Sequence, residues 1–153
     1  MRLSSMADYA IVLMSAAARH CGSASLVGSN CKGRTRISAT QLAEETQLPL
    51  PTAQKLVSLL SKGGLLSSTR GTGGGIRLAR PASAISLADI VEAVEGPIAL
   101  TACLSENAQD CAIQADCHIR PHSAAVNGAV RGALKNISLS SLSAPEPAQK
   151  VSA

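Results

Sequence analysis

Apolar residues recur at helical spacing in five stretches of the chain, and each stretch begins at residues that favour a helix start. Ser38 with Gln41, for example, forms a capping-box pattern, and Pro51 suits a first helical turn, where a missing N–H costs nothing. The predicted helices run from Ser4–Ser5 to near His20, from Ala39 to Thr46, from Pro51 to about Lys62, from Ser86 to just before Gly96, and from Pro121 to about Asn136.

Two short β-like runs follow the third predicted helix. Leu65–Thr69 and Ile76–Ala79 flank the sequence RGTGGG, which predicts a hairpin with a flexible, glycine-rich tip. We expect Gly63 and Gly64 to end the preceding helix by supplying left-handed backbone angles. Pro81 ends the hairpin.

A short helix, a tight break, a second helix and a hairpin, in that order, form the pattern of a winged helix-turn-helix. The break is the sequence QLPLP, and the second helix places Ala53, Leu56, Val57 and Leu60 on one face. We therefore predict a mainly α fold, with a small β-hairpin wing and a long C-terminal helix. The predicted organisation is a DNA-binding domain over residues 1–97, a cysteine-containing loop over 98–120, the long helix over 121–137 and a flexible tail over 138–153.

The second helix of the pair has a polar outer face that suits the major groove of DNA. Such side chains can reach base edges, and a slim glycine-rich tip can approach phosphates or enter the minor groove. An ordinary amphipathic helix pair with an inert hairpin has the same pattern, so the pattern alone does not distinguish a DNA-binding unit from a helix pair that binds nothing. The candidate DNA-binding residues are Thr40, Pro51, Thr52, Gln54, Lys55, Ser58, Arg70, Gly73 and Arg77.

The distribution of charge favours DNA. The net charge of +4 divides into +7 for residues 1–80, with ten basic and three acidic residues, and −3 for residues 81–153, with four basic and seven acidic residues. A cationic first half joined to an anionic second half indicates a module that binds a polyanion. Aromatic residues are only 1% of the chain, which excludes modules that stack single-stranded bases on aromatic rings.

Other functional classes find little support. No stretch approaches the roughly 20 apolar residues of a membrane span. Asp8 precedes the apolar run 10–18 and argues against a secretory signal, so we expect a cytoplasmic protein. The sequence RGTGGGIRL lacks the Gly-Lys-Ser/Thr ending of a phosphate-binding loop, and the three His have no catalytic motif around them. We therefore predict neither an enzyme nor a small-molecule substrate.

Three of the five cysteines lie close together after the fourth predicted helix. Cys103, Cys111 and Cys117 can converge on one ion or cluster, because a loop can turn its thiolates inward. Zinc sites usually contain tight CxxC pairs, and none exists here, so the open spacing favours an iron–sulfur cluster completed by a non-Cys ligand. Cys21 and Cys31 are interpreted as incidental loop thiols, and the odd total argues against a secreted disulfide framework.

Four sequence stretches together resemble the Rrf-type (IscR/NsrR-like) transcription regulators, and the similarity covers roughly residues 1–140. The resemblance implies a winged helix-turn-helix and a homodimer held by the long helix, which binds a pseudo-palindromic operator in double-stranded DNA. The subgroup that regulates SUF-type iron–sulfur assembly genes is the most similar. The stretches are MRLSSMADYAIVLM, ISATQLAEETQLPLPTAQKLVSLLSKGGLL, RGTGGGIRLARP and SLADIVEAVEGPIALTAC.

The resemblance also implies an iron–sulfur cluster on Cys103, Cys111 and Cys117, with 2Fe-2S favoured over 4Fe-4S. One branch of the family takes its fourth ligand from a His three residues after the last Cys, a position that is Arg120 here. Another branch takes it from an acidic residue near the N-terminus of the partner subunit, which Asp8 matches. The remaining candidates for the fourth ligand are His118 and His122.

The predicted function is therefore a repressor-type regulator that senses cluster status and controls SUF-type genes. A regulator that responds to nitric oxide or to redox state on the same scaffold is the nearest alternative. A small iron–sulfur carrier or redox protein is a third hypothesis, from a class that does not bind DNA, but it does not explain the basic residues of the hairpin.

Overall fold

A computed structural model describes residues 3–22, 36–69, 71, 74–101, 104 and 117–144. Within these residues the chain forms six α-helices and one antiparallel sheet of two strands. No helix in the described ranges is both long enough and apolar enough to cross a membrane. The elements are α1 Ser5–Gly22, α2 Ala39–Thr46, α3 Leu50–Lys62, β1 Leu66–Thr69, β2 Gly75–Leu78, α4 Leu87–Glu95, α5 Arg120–Lys135 and α6 Leu139–Ser143.

The helix-turn-helix is formed by α2 and α3 and confirms the sequence prediction. The hydroxyl of Ser38 accepts from the Gln41 N–H, and the Gln41 side chain accepts from the Ser38 N–H, which completes the capping box. Gln47, the residue directly after α2, has a left-handed φ of 56° that turns the chain towards α3. The apolar face of α3 is buried as predicted, at Ala53, Leu56, Val57 and Leu60.

The wing is a tight hairpin that is attached to the segment before α2. β1 and β2 pair in antiparallel register, with Leu66 opposite Leu78 and Thr69 opposite Gly75. The observed strands differ from the predicted runs by one residue, because pairing begins at Leu66 and includes Gly75. Ile76 also forms a β-bridge with Ile37, so that the segment before α2 pairs with the hairpin as a third short extended segment.

The core is built from aliphatic side chains, as a chain without Phe or Trp requires. α1 runs through its centre and packs against α4, α6 and α2. Its small residues allow this close approach, since Ala7, Ala10 and Ala16 are fully buried. The largest fully buried side chains are Leu13, Met14, Leu42, Leu56, Leu60, Leu65, Ile85, Ile90 and Leu139.

The two glycines after α3 have different roles, which partly corrects the prediction. Gly64 adopts a φ of +70° and supplies the left-handed angle that ends the helix. Gly63 has an ordinary φ of −73°, so its conformational freedom is not used. A Cβ at Gly63 would instead lie 2.8 Å from the Cβ of Ala93 in α4. Gly63 is therefore required for the close packing of α3 against α4.

α4 is capped at Ser86, the predicted start of the helix, by a second capping box. The Ser86 hydroxyl accepts from the Asp89 N–H at 3.2 Å, and the Asp89 carboxylate accepts from the Ser86 N–H at 2.9 Å. Partial burial raises the pKa of Asp89, but the hydrogen bonds from Ser86 together with the positive charges of Arg80 and Lys135 outweigh this effect and hold the pKa below its usual value. The carboxylate is thus ionised at neutral pH and anchors the helix start.

The prediction of a flexible tail from residue 138 is wrong for residues 138–144. Ser138 caps α6, and Leu139 is fully buried in the core. The backbone on either side of Ser138 is also bonded to the start of α4, with Leu139 N–H donating to Ile85 O and Leu87 N–H to Ile137 O, both at 2.8 Å. Within this Ser-rich stretch Leu139 is buried in the core, and Leu142 of the same helix is half-buried. Residues 145–153 of the predicted tail lie outside the described residues.

Candidate DNA interface and cysteine segment

The outer face of α3 presents polar side chains away from the core. Gln54, Lys55 and Ser58 are exposed, and Thr52 is half-buried at the edge of the same face. Because the opposite face of α3 is buried in the core, the helix position fixes the direction in which these side chains project. They form a compact set of donors and acceptors, which is the arrangement that base-edge recognition in a groove requires.

The start of α3 adds a positive end to this surface. Pro51 is exposed in the first turn, and the cap residue Pro49 makes no side-chain hydrogen bond to the helix. The first N–H groups of a helix lack partners within it and carry a partial positive charge, which favours nearby anions such as phosphates. Thr40, the remaining candidate outside α3 and the wing, is exposed in the first turn of α2.

Arg77 is exposed in β2, opposite Ser67 of β1. The turn between the strands contains a hydrogen bond of 2.8 Å from the Gly74 N–H to the Gly71 carbonyl. Gly71 has a φ of +97°, an angle that glycine adopts readily. The predicted residues Arg70 and Gly73 lie outside the described residues.

An ion cluster ties α2 to the end of α1. The Glu45 carboxylate lies 2.7 Å from Arg19 Nη2 and 2.5 Å from His20 Nε2. Hydrogen bonds from His20 and Arg19 hold the pKa of Glu45 below its usual value. The carboxylate of Glu45 is therefore paired with residues of α1.

Of the three clustered cysteines, Cys117 lies within the described residues. It is half-buried three residues before the start of α5, and its carbonyl accepts from the Arg120 N–H at 3.4 Å. The predicted ligands Cys103 and Cys111 lie outside the described part of the chain, as does the side chain of Cys21 and all of Cys31. Among the described residues, no three His, Cys, Asp or Glu side chains converge as a metal site.

The candidates for the fourth ligand are all accessible. Asp8 is exposed in the first turn of α1, and His118 and His122 are exposed around the start of α5. The three thiolates together with a carboxylate or an imidazole form a donor set of the kind that iron–sulfur clusters take. The chemistry of these residues therefore fits the predicted cluster.

Sequence reasoning missed three polar residues at the base of the cysteine segment. Arg131 of α5 forms two hydrogen bonds with Glu92 of α4, of 2.6 Å and 2.9 Å. Asn127, one helical turn before Arg131, bonds the backbone of Ile98 and Leu100. The i, i+4 spacing of Asn127 and Arg131 indicates a shared face, but nothing in the sequence identifies Glu92 as the partner.

Comparison with known proteins identifies the family. The family model Rrf2, described as "Iron-dependent Transcriptional regulator", matches residues 3–145. The chain belongs to the Rrf2 family. The Rrf2 match covers the helix-turn-helix, the wing, the cysteine segment and α5, and it places the chain among transcriptional regulators rather than enzymes.

Individual relatives agree with this Rrf2 membership. The chain is 33% identical over 95 residues to the HTH-type transcriptional regulator IscR of Cereibacter sphaeroides, a match that covers 62% of this chain and 56% of that protein. The chain spans about half the length of the curated relatives it matches.

Solved structures share the whole fold. The oxidized form of Staphylococcus aureus CymR has a TM-score of 0.66 and 27% identity, and the match covers 96% of this chain and 99% of that one. The fold of T. potens IscR is also similar, with a TM-score of 0.62 at 24% identity over 93% of this chain and 85% of that one. The predicted winged-helix fold is thus confirmed.

Proposed function

We propose that this Rrf2-family chain is a dimeric regulator that binds a pseudo-palindromic operator in double-stranded DNA. The observation that carries the proposal is the exposed polar face of α3, with Gln54, Lys55 and Ser58, next to a wing that carries Arg77. In this arrangement α3 enters the major groove while the wing contacts the backbone or the minor groove. Two such units related by a two-fold axis match a palindromic site.

The exposed apolar residues of the C-terminal helix support the dimer. None of the residues of α5 is buried, and Ile119 and Val126 are 68% and 57% exposed. From Val126, apolar residues recur at helical spacing as a stripe through Val130, Ala133 and Leu134 to Ile137. A second copy of the same helix would cover this stripe and remove it from water.

We further propose that Cys103, Cys111 and Cys117 hold an iron–sulfur cluster, 2Fe-2S in preference to 4Fe-4S. Asp8 of the partner subunit is the first choice as fourth ligand, with His118 and His122 as the alternatives. The thiolate donor set and the iron-dependent description of the family support this assignment. Such a protein would act in the cytoplasm as a repressor of SUF-type assembly genes, with its affinity for DNA set by the cluster.

Anaerobic purification tests the cluster and the DNA interface separately. We expect a coloured dimer with iron and sulfide bound, and loss of both in a variant with all three cysteines replaced by Ala. A duplex selected from a random pool by the wild-type protein then serves as the DNA probe. Equal affinity of apo and loaded protein for this duplex would contradict sensing, and absence of DNA binding would contradict the whole proposal.

A thiol-based redox regulator is the second candidate, because CymR, which is similar over nearly the whole chain, has been solved in an oxidized form. This candidate predicts that peroxide changes DNA affinity in protein free of iron, whereas the cluster proposal predicts no effect without iron. Release from DNA by nitric oxide, but not by iron starvation, would instead favour a nitric-oxide sensor on the same scaffold.

A further inference from the structure

The backbone at the start of the cysteine segment is held by a side-chain amide of α5. Asn127 Oδ1 accepts from the Leu100 N–H at 3.0 Å, and Asn127 Nδ2 donates to the Ile98 carbonyl at 2.9 Å. Both functional groups of one amide are therefore used on two nearly adjacent residues of the same segment. Two hydrogen bonds from one side chain fix the orientation of this backbone relative to α5 as well as its distance from the helix. Both bonds are partly buried.

The same backbone is also held by α4. Glu92 Oε1 accepts from the Ile98 N–H at 3.4 Å and from Arg131 Nε at 2.6 Å. Arg131 lies one turn after Asn127 in α5, so Glu92 also links the Ile98 backbone to α5 through Arg131. Ile98 is thus the point at which the cysteine segment, α4 and α5 are joined by hydrogen bonds.

Both ends of the cysteine segment are attached to α5. Cys103 follows Leu100 by three residues in the sequence, and the Leu100 backbone is hydrogen-bonded to Asn127 of α5. Cys117 lies three residues before Arg120, the first residue of α5. The chain is therefore attached to one helix on both sides of the segment, through Asn127 at its start and through the backbone after Cys117.

The junction at Ile98 lies close to the DNA-recognition helix. Glu92 is followed by Ala93, which packs at the end of α3, where a Cβ at Gly63 would be only 2.8 Å from the Ala93 Cβ. Because there is no room for even one added carbon between Gly63 and Ala93, a shift of α4 towards α3 requires α3 to move as well. A continuous set of contacts thus runs from residue 98 through α4 to α3.

We propose that Asn127 is a positioning residue that couples the cysteine segment to the DNA-binding core. The inference rests on the proposed function, since it requires that Cys103, Cys111 and Cys117 hold a cluster. Asn127 holds the start of the segment against α5, so that a rearrangement of the segment changes the bonds at Ile98 and thereby the position of α4. By linkage, removal of these hydrogen bonds reduces the effect of the cluster on DNA affinity.

Three variants in the full-length dimer test the proposal. Asn127→Ala removes both hydrogen bonds, whereas Asn127→Asp keeps the acceptor for the Leu100 N–H and loses the donor to the Ile98 carbonyl. Asn136→Ala makes the same truncation at an exposed position at the end of α5 and is the matched control. The aspartate variant retains the shape of the side chain, so the test does not depend on the folding of the alanine variant alone.

The hydrogen bond to Leu100 is measured first, in the apo protein. We expect amide exchange at Leu100 to be about fivefold faster in Asn127→Ala, the factor that loss of one ordinary hydrogen bond gives. The coupling is measured next, as the ratio of the affinities of apo and loaded protein for one selected duplex. We expect this ratio to move towards one in both Asn127 variants, with faster loss of visible cluster absorbance to EDTA, and to stay unchanged in Asn136→Ala.

A purely structural role for Asn127 would lower stability in both states and leave the affinity ratio unchanged. Wild-type protein that loads a cluster, with Asn127 variants whose affinity ratio and rate of cluster loss equal those of Asn136→Ala, therefore overturns this inference and leaves the proposed function intact. Wild-type protein that never takes up iron and sulfide overturns the proposed cluster and this inference together, and leaves the proposed DNA binding to its own test.

Discussion

Ile76 of the wing and Ile37, which precedes α2, exchange both backbone hydrogen bonds. The Ile76 N–H donates to the Ile37 carbonyl at 2.8 Å, and the Ile37 N–H donates to the Ile76 carbonyl at 3.2 Å. Both side chains are also buried. The wing therefore has a fixed position relative to the helix-turn-helix, and the residues on the two elements act as one surface.

This fixed position depends on Gly75. Its φ is +153°, and a Cβ there would lie 2.6 Å from the Arg36 Cβ and 3.3 Å from the Ile37 carbonyl oxygen. We expect Gly75→Ala to lower the free energy of unfolding by about 1–3 kcal/mol, from backbone strain and the clash. Urea denaturation measures this, and Gly64→Ala is the control, because it has a positive φ with nothing within 4 Å. Equal losses of unfolding free energy in Gly75→Ala and Gly64→Ala would show that the neighbours of residue 75 move away from the added Cβ without a loss of stability.

Gln54 is expected to read a base. Gln54→Ala should lose about 1–3 kcal/mol of binding free energy at one position of the operator and little on unrelated DNA, because a side-chain amide discriminates bases by paired hydrogen bonds. Binding to a set of singly substituted duplexes measures this. A uniform loss across all duplexes would assign Gln54 to backbone contact instead.

Arg77 is expected to bind phosphate. Arg77→Ala should weaken binding to all sequences similarly and reduce the slope of log affinity against log salt by about one unit for each phosphate that the protein no longer neutralises. Lys135→Ala removes the same charge from the end of α5 and should leave the slope unchanged. A sequence-dependent loss in Arg77→Ala would contradict this role.

Leu139 is expected to be part of the folding core. The side chain is fully buried, and Leu139→Ala should lower the free energy of unfolding by about 2–5 kcal/mol, because the truncation removes apolar packing and leaves a cavity. The half-buried Leu142 in the same helix is the control, and Leu142→Ala should cost less. Thermal unfolding of both variants gives the comparison, and equal stability of Leu139→Ala and the wild type would contradict the packing of α6.

The Glu92–Arg131 pair predicts a pH-dependent contribution to stability. The hydrogen bonds from Arg131 hold the pKa of Glu92 below its ordinary value of 4.5. A carboxylate with a lowered pKa stabilises the folded state above its unfolded pKa, and the contribution is lost as the pH falls through the folded pKa. Unfolding of Glu92→Gln should therefore differ from wild type most clearly above about pH 5, and the two proteins should converge in stronger acid. A difference that persists unchanged at low pH would exclude this ion pair as its source.

The sequence by itself determined the local elements. Capping boxes at Ser38 and Ser86, and apolar residues at i, i+3 and i+4, are short-range signals, so α2, α3 and α4 were predicted within a residue of their observed bounds. The polar face of α3 followed from the same periodicity, since residues opposite a buried stripe must project outwards.

Only the tertiary structure decided which distant residues meet. Glu92 and Arg131 are 39 residues apart, and Ile37 and Ile76 are similarly remote in the chain, so no local sequence pattern predicts either pairing. The role of Gly63 and the return of Leu139 to the core also depend on the neighbours that the fold supplies, Ala93 in one case and Ile85 in the other. Propensity and periodicity act over a few residues, whereas packing and side-chain hydrogen bonds act between elements. The junction at Ile98 forms through hydrogen bonds between residues that are remote in the sequence, so it depends on the tertiary structure.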